Sequence, residues 1–141
     1  MQELNTFIAN HLQLSVTVAI LLILLAIIES LRAQRKRHGV NPQQAIFMMN
    51  HENSLVIDLR PTEAYRNGHI IEALSMSAKE IQDNPKKIEK FKNRPLIIAC
   101  QGGVESEKIA AQLRKQGYNA FSLMGGMRAW NDAQMPIIKE R

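Results

Sequence analysis

Leu96-Ile97-Ile98-Ala99-Cys100-Gln101-Gly102-Gly103-Val104-Glu105-Ser106 is the stretch whose reading decides the fold. Its first four residues are apolar or small and read as a buried strand. The chain's one cysteine stands where that strand ends, two glycines turn the backbone, and a helical pattern runs on to Gln116. Strand, tight turn and helix make the repeating unit of an open α/β sheet, whose ligands sit in the crevice at the carboxyl ends of the strands. A cysteine there faces backbone N–H groups and the positive end of a helix dipole, and both stabilise a thiolate. The stretch predicts a reactive sulfur in an anion-shaped cradle.

The same alternation continues on either side. Downstream, Ile109, Ala110 and Leu113 give the helix a buried stripe, and Gly117 ends it as a C′ residue does. Ala120-Phe121-Ser122-Leu123 reads as a further strand, and Gly125-Gly126 as a turn into a last helix carrying Met127 and a core Trp130, stopped by Pro136. Upstream, Leu55-Val56-Ile57 is a strand with Asp58, Leu59 and Arg60 at its exit, and Pro61 opens a helical turn that closes at Gly68. A short strand is expected at 73–75, and a surface helix over 84–94 with Ile88 and Phe91 inward. Asn41-Pro42 has the form of an N-cap followed by proline at the first helical position, before Ala45, Ile46, Met48 and Met49. Strands alternating with helices at this spacing predict the α/β class, a mainly parallel sheet flanked by helices on both faces.

The amino-terminal part is of another kind. Residues 6–28 contain no Asp, Glu, Lys or Arg, and as a helix they would extend about 34 Å, enough to cross a bilayer. A cleaved signal peptide has its basic residues before the apolar run; here Glu3 precedes it and the basic cluster follows. Arg32, Arg35, Lys36 and Arg37 against Glu29 give residues 29–40 a net +3, out of +5 for the whole chain. Residues 41–141 carry another +3 spread over a far longer stretch and Glu3 subtracts one, so the excess charge is densest beside the apolar segment, where it fits a membrane surface and not nucleic acid. The positive-inside rule then puts the amino terminus outside and the remainder in the cytoplasm. The expected organisation is a short extracytoplasmic tail (1–5), one transmembrane helix (6–29), a basic juxtamembrane linker (30–41) and an α/β domain (42–139).

One cysteine excludes an internal disulfide, and no Cys/His cluster has metal-ligand spacing. A phosphatase of the Cys-x5-Arg kind would need arginine at 106 to clamp a phosphate dianion, and Ser106 stands there. Gly125-Gly126 lacks the lysine of a phosphate-binding loop. His69 is read as structural, and Asp58 with Arg60 as a pair that shapes the site through hydrogen bonds and a salt bridge.

Three separated motifs together resemble the rhodanese-like domain. Val56-Ile57-Asp58-Leu59-Arg60-Pro61, with Glu63, Tyr65 and Gly68-His69-Ile70, is similar to the family's first signature. Residues 100–106 match its active-site loop of Cys, two variable residues, Gly, two variable residues, then Ser or Ala. Gly117-Tyr118, Leu123, Gly125-Gly126, Ala129-Trp130 and Pro136 resemble its closing signature. With the apolar segment included, the chain looks like the membrane-anchored single-domain rhodaneses of bacteria.

That resemblance implies a sulfurtransferase in which Cys100 takes a sulfane sulfur as a persulfide and the backbone of Gln101, Gly102, Gly103, Val104, Glu105 and Ser106 holds it. It implies a small sulfane-sulfur donor or a protein persulfide, a thiol acceptor, no cofactor, and a place on the inner face of the inner membrane, with an inner-membrane protein as a further partner. Thiosulfate-using members often carry basic residues where this chain has Gln101 and Glu105, which leaves the donor open. The alternative is a rhodanese-fold interaction module that recruits partners to the inner membrane.

Overall fold

The computed structural model describes Thr6 and residues 11–140; the expected tail at 1–5 and most of the first turn of the apolar segment lie outside the described residues. The chain divides into two compact units, residues 1–37 and 38–141.

Among the described residues the first unit is built by helix α1 (Leu12–His38), of 27 residues, whose last residue is the first of the second unit. Its stretch Leu12–Ala33 is long and apolar enough to cross a membrane, and its Leu and Ile side chains are exposed throughout. Within it, Thr17 donates its hydroxyl to the Gln13 carbonyl at 2.8 Å, and just beyond the apolar core Ser30 does the same to Ile27 at 2.8 Å. A polar group satisfied on its own helix needs no water.

The expected linker at 30–41 is not irregular. Ala, Arg, Gln and Lys are good helix formers, so nothing stops α1 before Gly39. Gly39 and Val40 then form β1 (Gly39–Val40), an edge strand paired in parallel with β5 (Ala120–Leu123). Val40 is buried, so the α/β unit begins before residue 42.

The second unit is a five-stranded sheet of order β1-β5-β4-β2-β3, every pair parallel, with β2 (Leu55–Asp58), β3 (Leu74–Ser75) and β4 (Leu96–Ala99). β2 and β4 are buried along their whole length, as their unbroken apolar runs require. Their alternating side chains feed two cores. Leu55, Ile57, Leu96, Ile98 and Ala120 face α4 (Ala78–Asp83), α5 (Lys86–Glu89) and α6 (Val104–Lys115). Val56, Ile97, Ala99 and Leu123 face α2 (Pro42–His51) and α7 (Gly126–Asp132), with Trp130 only 1% exposed. The short helix α3 (Thr62–Asn67) links β2 to the β3 edge.

Caps mark the helix starts. Asn41 caps α2 in a reciprocal box with Gln44, and Ser77 caps α4 in another with Glu80. The second box, Ser77-Ala78-Lys79-Glu80, makes α4 a helix the sequence reading passed over. The single helix expected over 84–94 is instead α5 followed by tight turns, with Phe91 N–H bonded to Ile88 O and Arg94 N–H to Phe91 O. Such three-residue spacing is 3₁₀-like and does not extend. Ile88 is fully buried all the same, and Phe91 packs beside it.

Candidate active site

β2 and β4 are neighbours in register, Asp58 opposite Ala99. The chain leaves β2 toward the β3 edge and leaves β4 toward β5, so the two crossovers part between them. This is the point in a parallel sheet where a crevice opens at the carboxyl ends. Leu59 N–H closes the last rung on the Ala99 carbonyl at 2.8 Å. Cys100 is the next residue, 5% exposed.

Its sulfur is held by the loop that follows. Gly103 N–H donates to Sγ at 3.0 Å and Ser106 N–H at 3.4 Å. The thiol lies 3.4 Å from Ser106 Oγ, and that hydroxyl donates to the Gly103 carbonyl at 3.0 Å. Ser106 is wholly buried, and α6 begins at Val104 with Gly103 as its N-cap, so the sulfur lies at the N-terminal end of a 12-residue helix. Two amide donors and the start of a helix thus converge on the sulfur.

The loop is also held from behind. Its carbonyls at Cys100 and Gln101 accept from Met127 N–H (2.8 Å) and Arg128 N–H (3.2 Å), both in the first turn of α7. With those carbonyls engaged on α7, the Gly103 and Ser106 amides are free to face the sulfur. This contact requires Gly126: a Cβ there would run into the Cys100 carbonyl oxygen and come within 2.7 Å of Gln101 O. The glycine pair 125–126, read from sequence as a plain turn, therefore braces the cysteine loop. Its signal, two glycines opening a helix, was visible; what they press against was not.

The other expected site residues fall into two groups. Gln101, Gly102, Val104 and Glu105 are exposed on the rim, Val104 by 71%. Glu105 thus projects to solvent from the first turn of α6, where a carboxylate favours the helix. Gly102 is not needed for space, since a Cβ there would meet nothing within 4 Å, whereas Gly103 has a left-handed φ of +94°. Asp58 and Arg60 form a buried pair. Arg60 Nη2 donates to Asp58 Oδ2 at 2.7 Å and to the Gly68 carbonyl at 2.7 Å, and Nε reaches Asp58 Oδ1 at 3.0 Å. Their side chains are 1% and 8% exposed. They tie the end of β2 to the end of α3 and do not bond the sulfur.

His69 is likewise structural: it is buried, stacked on Tyr65 at 3.7 Å between ring centres, with Nδ1 at 2.9 Å from Tyr65 O. The Tyr65 hydroxyl donates to Ala73 O at 2.6 Å, and burial pushes its pKa up, with the carboxylates of Glu140 and Asp58 adding to the shift. Among the described residues no group of three His, Cys, Asp or Glu side chains could hold a metal ion.

The model of the rhodanese-like domain family matches residues 41–133. The protein YibN of Escherichia coli K12 is 28% identical over 141 residues, 99% of each chain. The thiosulfate sulfurtransferase GlpE of Actinobacillus succinogenes is 31% identical over 102 residues, 70% of this chain and 87% of that one. Among solved structures, a rhodanese-like domain protein of Staphylococcus aureus superposes with a TM-score of 0.63 at 26% identity, covering 73% of this chain and 98% of that one. A rhodanese-related protein of Thermoplasma volcanium gives 0.67 at 19% identity over 73% and 99% of the two chains.

Proposed function

The chain belongs to the family of rhodanese-like domains, and from that membership we propose that it is a sulfurtransferase working through a persulfide on Cys100, tethered to the inner membrane by α1 with the domain in the cytoplasm. The observation that carries the reading is the pair of amide N–H groups, from Gly103 and Ser106, aimed at a cysteine sulfur on a helix N-terminus.

The Cys100 thiolate attacks the outer sulfur of a donor R–S–S⁻ or of thiosulfate. The donor's S–S bond breaks, the leaving thiolate or sulfite departs with the electron pair, and Cys100 carries –S–S⁻. An acceptor thiolate then attacks the terminal sulfur, taking it as its own persulfide and returning Cys100 to the thiolate. No net oxidant or reductant is consumed. The two amides that face the sulfur stabilise charge at each stage, and the braced loop holds them without reorganisation. Similarity to GlpE supports the reaction class, and α1 with its following basic cluster supports the tether.

Because Cys100 is the only cysteine, intact mass locates the chemistry without ambiguity. The full chain in detergent, incubated with thiosulfate, mercaptopyruvate or a protein persulfide, should gain the mass of one sulfur atom and lose it to added thiol. No adduct with any of the three would sink the proposal. Protease added to spheroplasts should leave the domain intact, and cleavage of the domain from outside would reverse the orientation.

A second reading, a module that recruits partners to the membrane, is favoured by the uncharged Gln101 and acidic Glu105 on the exposed loop rim. It predicts that Cys100→Ala keeps the cellular phenotype of the wild type, whereas the sulfurtransferase reading predicts its loss.

A further inference from the structure

At the end of the sheet opposite Cys100, where β2 begins, the α/β unit carries a pocket of about 330 Å³ that opens to solvent. Its wall is apolar where Met49, Ile70 and Trp130 face it. Its polar lining is Asn50, Asn53, Ser54, Glu72 and Arg94. Ser54 lines it and is only 7% exposed, and the Ser54 hydroxyl is a buried oxygen with no hydrogen-bond partner. Arg94 lines it with Nε already bonded to Asn53 O at 2.8 Å, which fixes the guanidinium and leaves its Nη groups to bind elsewhere. Glu72 lines it too, and among the described residues no salt bridge joins it to Arg94.

A buried hydroxyl without a partner is rare in a folded protein, and here it lies beneath the pocket floor. A cavity with a cation and an anion that do not neutralise each other suits a ligand bearing both charges. A plain carboxylate would gain Arg94 and be repelled by Glu72, and a plain amine the reverse. The volume holds about ten waters at about 30 Å³ each, or one amino acid of the size of leucine or phenylalanine. We propose that this cavity binds a small zwitterion with an apolar body, of the class of apolar α-amino acids. The carboxylate lies on Arg94, the ammonium on Glu72 and the apolar body against the Trp130 side of the pocket. The proposal is independent of the chemistry at Cys100.

Trp130 is the chain's only tryptophan, so its fluorescence reads the cavity directly. Titrating the full chain in detergent with L-leucine and L-phenylalanine should give a saturable change with at least one of them. Isocaproate, which lacks the ammonium, and isoamylamine, which lacks the carboxylate, should bind at least tenfold more weakly. Arg94→Gln and Glu72→Gln, at partly or fully exposed positions, should each weaken binding tenfold or more; calorimetry on the same variants gives a second measure. No saturable change with either amino acid overturns the proposal. So does equal binding of isocaproate or isoamylamine, or unchanged affinity in both variants.

Discussion

Gly103 donates its amide to the sulfur of Cys100 at 3.0 Å, and it does so from a backbone φ of +94°. The left-handed turn is what reverses the chain after the cysteine and brings an N–H back onto the atom it has just left. The same turn presses Gly103 against the start of α7, where a Cβ would stand 3.0 Å from Gly125 N and 3.3 Å from Gly126 N. Sulfur, loop and brace therefore meet at one residue.

Substituting the two loop glycines separates these roles. Gly103→Ala places an L side chain in the left-handed region and against backbone atoms that cannot swing aside. It should cost about 1–3 kcal/mol of stability and lower the yield of Cys100 persulfide. Gly102→Ala meets open space and should stay within about 0.5 kcal/mol. Urea midpoints of the two variants check this; equal losses would mean the turn is not the constraint.

The Asp58–Arg60 pair predicts a different asymmetry. Both side chains are almost out of water, so deleting one leaves the other charged and unsolvated. Arg60→Ala, or Asp58→Ala, should cost about 3–5 kcal/mol in denaturant unfolding. Since neither residue bonds the sulfur, any persulfide loss should follow the loss of folded protein. A well-folded Arg60→Ala that forms no persulfide would give Arg60 a direct part in the chemistry.

Much of this was legible from residue patterns because the informative elements are the buried ones. Leu55-Val56-Ile57 and Leu96-Ile97-Ile98-Ala99 can only be strands covered on both faces, and the cysteine loop follows from where the second one ends. Gly39-Val40 could not be read so: two residues carry no periodicity, and β1 exists only because β5 offers an open edge. Ser77 and Glu80 did carry a local signal, but a six-residue helix has little else to announce it. Gly126 is the instructive miss. Its necessity comes from the Cys100 carbonyl, which lies 26 positions away in the chain and is brought there by the β4–β5 crossover.

The two tyrosines make alkaline stability measurable. Burial is the main cause that pushes both Tyr65 and Tyr118 above the ordinary 10.0, with nearby carboxylates adding to it: Glu140 and Asp58 for Tyr65, Glu89 for Tyr118. A folded pKa above the unfolded one means stability that is complete below pH 10.0 and lost as pH rises through the folded values. The chain has no other tyrosine, so tyrosinate absorbance should rise with a midpoint above pH 10.0, with stability falling over the same window. Absorbance rising with a midpoint at 10.0 in the folded protein would count against it.

Glu105 gives the sharpest handle on the donor. Exposed in the first turn of α6, it faces solvent, so its repulsion of an anionic donor is that of a surface charge and is screened. Exposed charge pairs are worth about 0.2–1 kcal/mol. Glu105→Arg exchanges a repulsion for an attraction, so kcat/KM for thiosulfate should rise about threefold to tenfold at low salt. The gain should shrink toward unity as ionic strength rises past about 0.5 M, where the screening length falls below about 5 Å. Arginine also opposes the dipole at this helix start, so stability should drop by a few tenths of a kcal/mol, up to about 1. A rise in turnover that ignores salt would place the effect in loop geometry and not in charge. No rise at any salt would mean thiosulfate is excluded by shape, and that the donor is one the rim of Gln101, Val104 and Glu105 accepts as it stands.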